Sequence, residues 1–350
     1  MVSVIIPVFN EKKYIDAFFD SLLHQNYPFN EMEWIFVDGM SNDGTLEKIN
    51  NYKIQYKTLI KVYKNVNRTQ AYALNLGISK SIGDVIIRMD VHAIYDSDYI
   101  SKCLICLQTS GADNVGGVIV TKAFTEKGNY ISKILSSKFG VGNSKFRTRG
   151  SGYVDTVPFG AFKRDVFIRL GLFDTRLDRN EDNEFNYRIR KNGGRVFLSK
   201  DIHSVYYCRD NLKDLLKMAR LNGKWNVISL RVCPKSMGLR HFAPLSFFSL
   251  LFVLLCVGIF FHIVWFFALG IFSFYSIVDL ICSISSCDSF GEFWKLYFSF
   301  FLFHFNYALG SFLGIFSAMG KRFRKNNTSI ARLPSLTGNV REDMEENNVE

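Results

Sequence analysis

The 350-residue chain carries 43 Lys and Arg against 32 Asp and Glu, a formal charge of +11, yet its mean hydropathy is slightly positive at +0.06. Size and composition exclude a disordered chain, a collagen-like chain and a disulfide-stapled miniprotein. Charge and hydrophobicity must therefore occupy different regions, and 20 of the 34 phenylalanines do lie beyond residue 240. One soluble domain of about 240 residues joined to a membrane-embedded tail is the expected organisation.

Val2–Phe9 is a short apolar run closed by Asn10-Glu11, which suits a buried strand. Tyr14, Ile15, Phe18, Phe19, Leu22 and Leu23 follow at helical spacing. Glu33–Val37 reads as a second strand, ended by the turn-rich Asp38-Gly39-Met40-Ser41-Asn42-Asp43-Gly44. A strand near Ile60–Tyr63, a helix near Thr69–Lys80 and a strand at Asp84–Met89 continue the alternation. Such alternation predicts an α/β fold with a parallel sheet covered on both faces. Ligands in these sheets sit at the carboxyl ends of the strands, where Asn10, Glu11, Asp38, Asp90 and His92 fall.

Residues 121–152 are rich in Lys, Arg, Gly and Ser and read as a long mobile connection, a type of loop that is usually functional. Beyond it, Tyr153–Phe162 predicts a strand and turn, Asp182–Lys191 a helix closed by Gly193-Gly194, and Arg195–Leu198 another strand. Lys213, Lys217, Arg220, Lys224, Arg231, Lys235 and Arg240 alternate with apolar residues. That pattern suits a helix at an anionic membrane surface better than a merely solvated face.

Ala243–Val278 is free of formal charge over 36 residues, close to two spans of about 18 residues each in a hairpin. Leu296–Gly320 is a second uncharged stretch, followed at once by Lys321-Arg322-Phe323-Arg324-Lys325. Basic residues on both flanks favour an even number of crossings, so the last stretch is either re-entrant or interfacial, or it is a third span that breaks the rule. Gly310 and Gly314 offer a close-packing face, and the polar, acidic end of the chain predicts disorder. Met1 is followed by no basic and apolar leader, so a cytosolic soluble domain is expected. The seven scattered cysteines include a single Cys-x-x-Cys, Cys103 and Cys106, which reads as buried small apolar residues rather than a zinc site. Basic residues clustered beside apolar segments argue against a nucleic-acid partner.

Asp90-Val-His92 places a carboxylate and an imidazole on one side of an extended segment. The pair would hold a divalent ion against a diphosphate, or His92 would simply be hydrogen-bonded in a turn. Asp38 and Asp43 flank a turn that explains them as well as ligand contact does. Glu181, Asp182 and Glu184 crowd a helix start, where capping competes with a general-base role.

The order of these motifs is more specific than any one of them. Ser3-Val-Ile-Ile-Pro-Val-Phe-Asn-Glu11 is followed by Phe36-Val-Asp-Gly-Met-Ser-Asn-Asp-Gly-Thr45, Ala73-Leu-Asn-Leu-Gly77 and Ile87-Arg-Met-Asp-Val-His92. Gly160-Ala-Phe162, Gly171-Leu-Phe-Asp174 and Asn180-Glu-Asp182 complete the series. Over residues 2–230 the chain resembles the family 2 glycosyltransferases, most of all those of succinoglycan-type exopolysaccharide assembly. The resemblance implies a GT-A fold, a Rossmann-like mixed sheet with helices on both faces, and an inverting transfer from a nucleotide-diphosphate sugar. It implies a donor-binding half at 1–110 and an acceptor-binding half at 111–210; charge and hydropathy add interface helices at 211–241, a membrane segment at 242–320 and a tail at 321–350.

On the same resemblance Pro7, Asn10 and Glu11 would line the nucleoside pocket, Asp38 would bind the base, and Arg68 and Asn75 would lie near the nucleotide. Asp90 and His92 would hold Mn²⁺ or Mg²⁺, with His92 departing from the family's Asp-x-Asp form and favouring Mn²⁺; His203 is a further candidate ligand. Asp182 would be the base, and Phe159, Gly160, Glu181, Arg220 and Trp225 the acceptor-side residues. Arg220-Leu-Asn-Gly-Lys-Trp225 lacks the Gln-x-x-Arg-Trp of processive synthases, which favours transfer of one sugar, from a UDP-hexose donor, to a lipid-linked saccharide. A processive synthase, a polyprenyl-phosphate glycosyltransferase and a non-catalytic membrane scaffold are the competing readings.

Overall fold

A computed structural model describes residues 1–142, 145–148, 150–320 and 333; the tail expected to be disordered, with its basic run 321–325, lies outside them. The apolar runs form β1 (Val2–Val8) and β2 (Met32–Asp38), with α1 (Ile15–Leu23) between them. Next come α2 (Thr45–Gln55), β3 (Ile60–Lys64), α3 (Gln70–Lys80), β4 (Val85–Arg88), β5 (Ala93–Tyr95), α4 (Tyr99–Ser110) and β6 (Asn114–Ala123). A helical group follows: α5 (Asn129–Ser136), α6 (Lys138–Val141) and α7 (Lys145–Thr148). The soluble part ends with β7 (Gly152–Tyr153), β8 (Ala161–Lys163), α8 (Arg164–Leu170), α9 (Glu181–Lys191) and β9 (Val196–Cys208). Four helices complete the described chain: α10 (Leu212–Val232), α11 (Ala243–Gly258), α12 (Val264–Ser286) and α13 (Phe290–Gly320).

The sheet runs β3-β2-β1-β4-β8-β6-β9-β5, with β7 alongside β9. The first four strands are parallel, and β8 then reverses direction against both β4 and β6. The sheet is therefore mixed, and its parallel half corresponds to the alternating part of the sequence. Apolar clusters lie on both faces, one centred on Phe18, Phe19, Trp34 and Phe36, the other on Leu74, Phe162, Phe167 and Phe185. Gly77 shows how closely α3 sits: a Cβ there would lie 2.5 Å from the Ile5 side chain. Cys103 and Cys106 are buried free thiols of α4.

The described residues of 121–152 hold more regular structure than a long connection. They contain the end of β6 and three short helices, because Ile131, Ile134 and Leu135 of α5 find an apolar partner surface in Leu215, Leu296, Phe300 and Phe303. Phe139 packs against Phe300 and His304, its carbonyl lies 2.9 Å from His304 Nε2, and Tyr275 Oη is 2.8 Å from His304 Nδ1. Lys133 pairs with Asp288 and Glu292. This region therefore rests on the C-terminal helices.

Among the described residues three helical stretches, Leu239–Gly258, Val264–Ser286 and Phe290–Met319, are long and apolar enough to cross a membrane. They differ in how much of their apolar window is buried within the protein, at 6%, 17% and 44%. The third is one continuous helix, and it packs lengthwise on α10. The glycines explain that contact. A Cβ at Gly310 would collide with the Arg220 carbonyl, and one at Gly314 would lie 2.7 Å from the Lys224 carbonyl. The small-residue face thus meets the basic helix, not another wholly apolar one.

Candidate functional site

Five non-glycine residues have positive φ among the described residues: Asn10, Met40, Arg68, Phe159 and Asn180. They stand after β1, after β2, before α3, before β8 and before α9. Each such conformation costs on the order of 1–3 kcal/mol and persists only where its surroundings enforce it. Their gathering around the ends of the central elements marks the same rim as the polar candidates.

Pro7 lies near the end of β1, beside Val37 of β2. Asn10 joins the two following loops: its N–H donates to Ser41 Oγ at 2.9 Å and its Oδ1 accepts from Asn42 N–H at 2.9 Å. Asp38, 1% exposed, ends β2 and accepts the Ser41 N–H on both oxygens at 3.3 and 3.1 Å. Asp43 is a turn residue, accepting from Thr45 and from the Lys12 N–H. Arg68 is exposed at the entry to α3. Beside it Thr69 Oγ1 is buried without a hydrogen-bond partner among the described residues, a polar atom left for a ligand.

Asp90 follows β4. Arg88 Nε and Nη2 donate to its two oxygens at 2.9 Å each, a fork-to-carboxylate pair. Burial disfavours the Asp90 charge, but Arg88 outweighs burial and holds the carboxyl below its ordinary range. Glu11 Oε1 lies 3.1 Å from His92 Nδ1, and His92 Nε2 lies 3.9 Å from Asp90 Oδ2. Burial works against the His92 cation too, yet Glu11 and Asp90 prevail and raise its pKa.

The other end of Arg88 points to α9. Its Nη1 donates to Glu181 Oε1 at 3.1 Å. Glu181 is 3% exposed, and burial pushes its pKa up to about 7 despite Arg88. Burial likewise raises Asp182, with Asp90 adding to the shift. Asp182 accepts the Asn183 N–H at 2.8 Å, and its carboxylate has no ion-pair partner among the described residues. The start of α9 is fixed from α10, since Asn180 Nδ2 donates to Asn226 Oδ1 at 2.9 Å and to Ser229 Oγ at 3.1 Å.

Some candidates stand apart from this cluster. Asn75 spends both ends of its carboxamide on the Phe173 backbone, at 2.9 Å each, and ties α3 to the segment before α9. Gly160 faces Asn114 and Phe162, and its carbonyl accepts from Arg88 N–H at 3.0 Å. Phe159 is buried against Tyr95, with its carbonyl accepting from Tyr99. Arg220 donates to Asn306 of α13 at 2.7 Å, and Trp225 is buried beside Leu177 and Ala318; both serve the contact between α10 and α13. His203 pairs with Asp96 rather than with Asp90. Arg88 is the residue that sequence reasoning passed over, although it precedes Asp90 by the same two positions that separate Asp90 from His92.

Among the described residues no group of three His, Cys, Asp or Glu side chains is placed to hold a metal. Asp90 and His92 supply two donors of suitable chemistry. That set fits an ion whose remaining positions belong to substrate phosphates and water.

The glycosyl transferase family 2 model matches residues 3–171, which include β1, Asp38 and the Asp90–His92 segment. A dolichyl N-acetyl-α-D-glucosaminyl phosphate 3-β-D-2,3-diacetamido-2,3-dideoxy-β-D-glucuronosyltransferase of Methanococcus voltae is 32% identical over 224 residues, 62% of this chain and 70% of the relative. The chain belongs to glycosyl transferase family 2. The succinoglycan biosynthesis protein ExoA of Rhizobium meliloti is 29% identical over 249 residues, 69% of the transferase described here and 74% of ExoA. In fold the transferase is similar to a mannosyltransferase of Pyrobaculum calidifontis solved with GDP-mannose and Mn²⁺, with a TM-score of 0.57 and 17% identity, covering 92% of this chain and 87% of that one. The fold is thus of the GT-A type expected, and glycosyl transfer is the activity of the family.

Proposed function

We propose that the transferase moves a single sugar, with inversion, from a nucleotide-diphosphate sugar to a lipid-linked saccharide acceptor in exopolysaccharide or capsule assembly. The observation that carries this reading is Arg88, which bridges Asp90 at the strand end to Glu181 at the start of α9. Donor-side and acceptor-side carboxylates thereby share one small site. Pro7, Asn10, Glu11 and Asp38 would form the nucleoside side, with Arg68 and the unpartnered Thr69 hydroxyl next to it.

Asp182 takes the proton of the acceptor hydroxyl as that oxygen bonds to the anomeric carbon and the bond to the diphosphate breaks. General-base help of this kind is worth roughly 10²–10⁴ in rate. Glu181 is held by Arg88, which leaves Asp182 the freer carboxylate. Asp90 and His92 would hold Mn²⁺ or Mg²⁺, which when bound neutralises the charge growing on the departing diphosphate. The M. voltae relative is named for a dolichyl phosphate-linked substrate, and three helices long and apolar enough to cross a membrane follow the soluble part here; both support a membrane-anchored acceptor and a multi-pass protein, whose catalytic domain would face the cytosol.

The test is to incubate the full chain in detergent with UDP-hexoses, then GDP-mannose, with lipid-linked or free saccharides, and with Mn²⁺, Mg²⁺ or a chelator. One sugar added to the lipid-linked acceptor alone, and only with metal, is the expected outcome. Long products would favour a synthase, and equal use of free sugars would remove the lipid from the reading.

A further inference from the structure

An open cavity of about 410 Å³ is lined by Tyr153, Val154, Asp155, Arg190 and Arg240. None of these residues serves donor, metal or base in the reaction above. Arg190 stands in the last turn of α9, about 12 Å along the helix axis from Asp182 at 1.5 Å per residue. Arg240 lies in the single helical turn Leu239–Phe242, which leads directly into α11. That turn and α11 together form Leu239–Gly258, the first stretch long and apolar enough to cross a membrane. The cavity therefore brings the far end of the α9 helix to the foot of the first apolar helix.

Its charges are unevenly matched. Arg240 Nη2 donates to Asp155 Oδ2 at 2.7 Å, and Nε to His241 Nε2 at 3.3 Å. The ion pair is open to solvent, with 34% of the Arg240 side chain and 46% of the Asp155 side chain exposed. Arg190 is exposed and lies over the Tyr187 ring, 5.7 Å from its centroid. Arg195 lies over the Tyr153 ring at 5.3 Å, and its Nη1 donates to Tyr153 Oη at 3.1 Å. Neither Arg190 nor Arg195 forms an ion pair among the described residues, so three guanidiniums surround one carboxylate. Guanidinium forks match phosphate oxygens in geometry and charge.

The surroundings point to the source of that phosphate. Leu239, next to Arg240, is 93% exposed, an apolar side chain presented outward where the apolar helix begins. Tyr153 is also exposed and carries its hydroxyl at one end of an apolar ring, the kind of side chain that collects at headgroup depth. Cations at that depth attract anionic lipids. We propose that Arg190 and Arg240, with Tyr153 between them and Arg195 behind its ring, hold the phosphate of an anionic phospholipid headgroup and so seat the catalytic domain on the bilayer. The site goes beyond the transfer reaction and rests on the reading that the three apolar helices cross a membrane.

Equilibrium binding to the full chain in neutral detergent tests it with four probes: dihexanoyl phosphatidylglycerol, dihexanoyl phosphatidylcholine, glycerol 3-phosphate and UDP. Phosphatidylglycerol binds at least tenfold more tightly than phosphatidylcholine, and R190Q/R240Q removes that preference while UDP affinity stays within twofold. The single variant R190Q, altered at an exposed position without an ion pair, shows a smaller loss of the same sign and stands in if the double variant does not fold. Equal binding of the two lipids, or a preference that survives R190Q and R190Q/R240Q, overturns the site. Glycerol 3-phosphate binding as tightly as phosphatidylglycerol overturns the lipid source, and a parallel fall in UDP affinity assigns the cavity to the donor instead. Flotation with phosphatidylcholine vesicles separates the two ways of failing. A chain that does not float overturns the membrane reading itself, whereas one that floats without a phosphatidylglycerol preference overturns the headgroup site alone.

Discussion

Asp90 and the Glu181–Asp182 pair meet the same guanidinium, yet their acidities move in opposite directions. Asp90 receives two parallel bonds from Arg88 and is held ionised. Glu181 receives one bond and Asp182 none from that arginine, and burial lifts both. Carboxylates pushed apart in this way are suited to different tasks. A lowered group stays charged and suits cation and phosphate chemistry, whereas a raised group is a stronger base once it is ionised. The contrast arises from how one arginine divides its donors, not from residue type.

The largest expected effect comes from breaking the raised side. D182N should lower turnover by about 10²–10⁴-fold, with UDP affinity changed by no more than a few-fold; sugar transfer and equilibrium binding measured together check this. Undiminished transfer would take Asp182 out of the mechanism. Removing the shared arginine comes next. R88Q leaves Asp90 and Glu181 buried without their cation, a change that typically costs about 3–5 kcal/mol, and should appear as a lower thermal midpoint with weaker UDP binding. R88K keeps a charge but not the fork and should fall between the two.

The pH profile sharpens the comparison with a smaller change. Asp182 must be ionised to accept a proton, so turnover falls as pH drops through its raised pKa. E181Q removes the neighbouring carboxyl whose charge opposes that of Asp182, and moves the acid limb to lower pH. A limb that stays in place would separate the two carboxylates. The smallest effect belongs to the lowered side. H92D restores two carboxylates at the proposed metal position and should shift the preference from Mn²⁺ toward Mg²⁺ by several-fold, read from activity titrations with each ion.

The site was partly legible without coordinates. Polar residues at strand ends placed Asn10, Glu11, Asp38, Asp90 and His92 on one rim, because a parallel sheet brings those ends together whatever the loops do. Asn75 was beyond that logic. Its amide geometry suits either a nucleotide or a backbone, and only the approach of Phe173, 98 residues away, decides for the backbone. Arg220 and Trp225, acceptor-side candidates on a helix whose pattern suits a membrane surface, turn to α13 once Gly223, Gly310 and Gly314 let the two helices approach.

The same division holds for the chain as a whole. Periodicity and motif order determined the α/β core, and hydropathy placed the apolar tail with its late phenylalanines, since both follow from local spacing and composition. Local spacing does not specify which distant surfaces meet. The antiparallel insertion of β8, the seating of residues 129–141 on α12 and α13, and the burial of almost half of α13's apolar window were decided by tertiary packing. So was the sharing of Arg88, because its three donors reach carboxylates from strand and helix only after the sheet and α9 have come together.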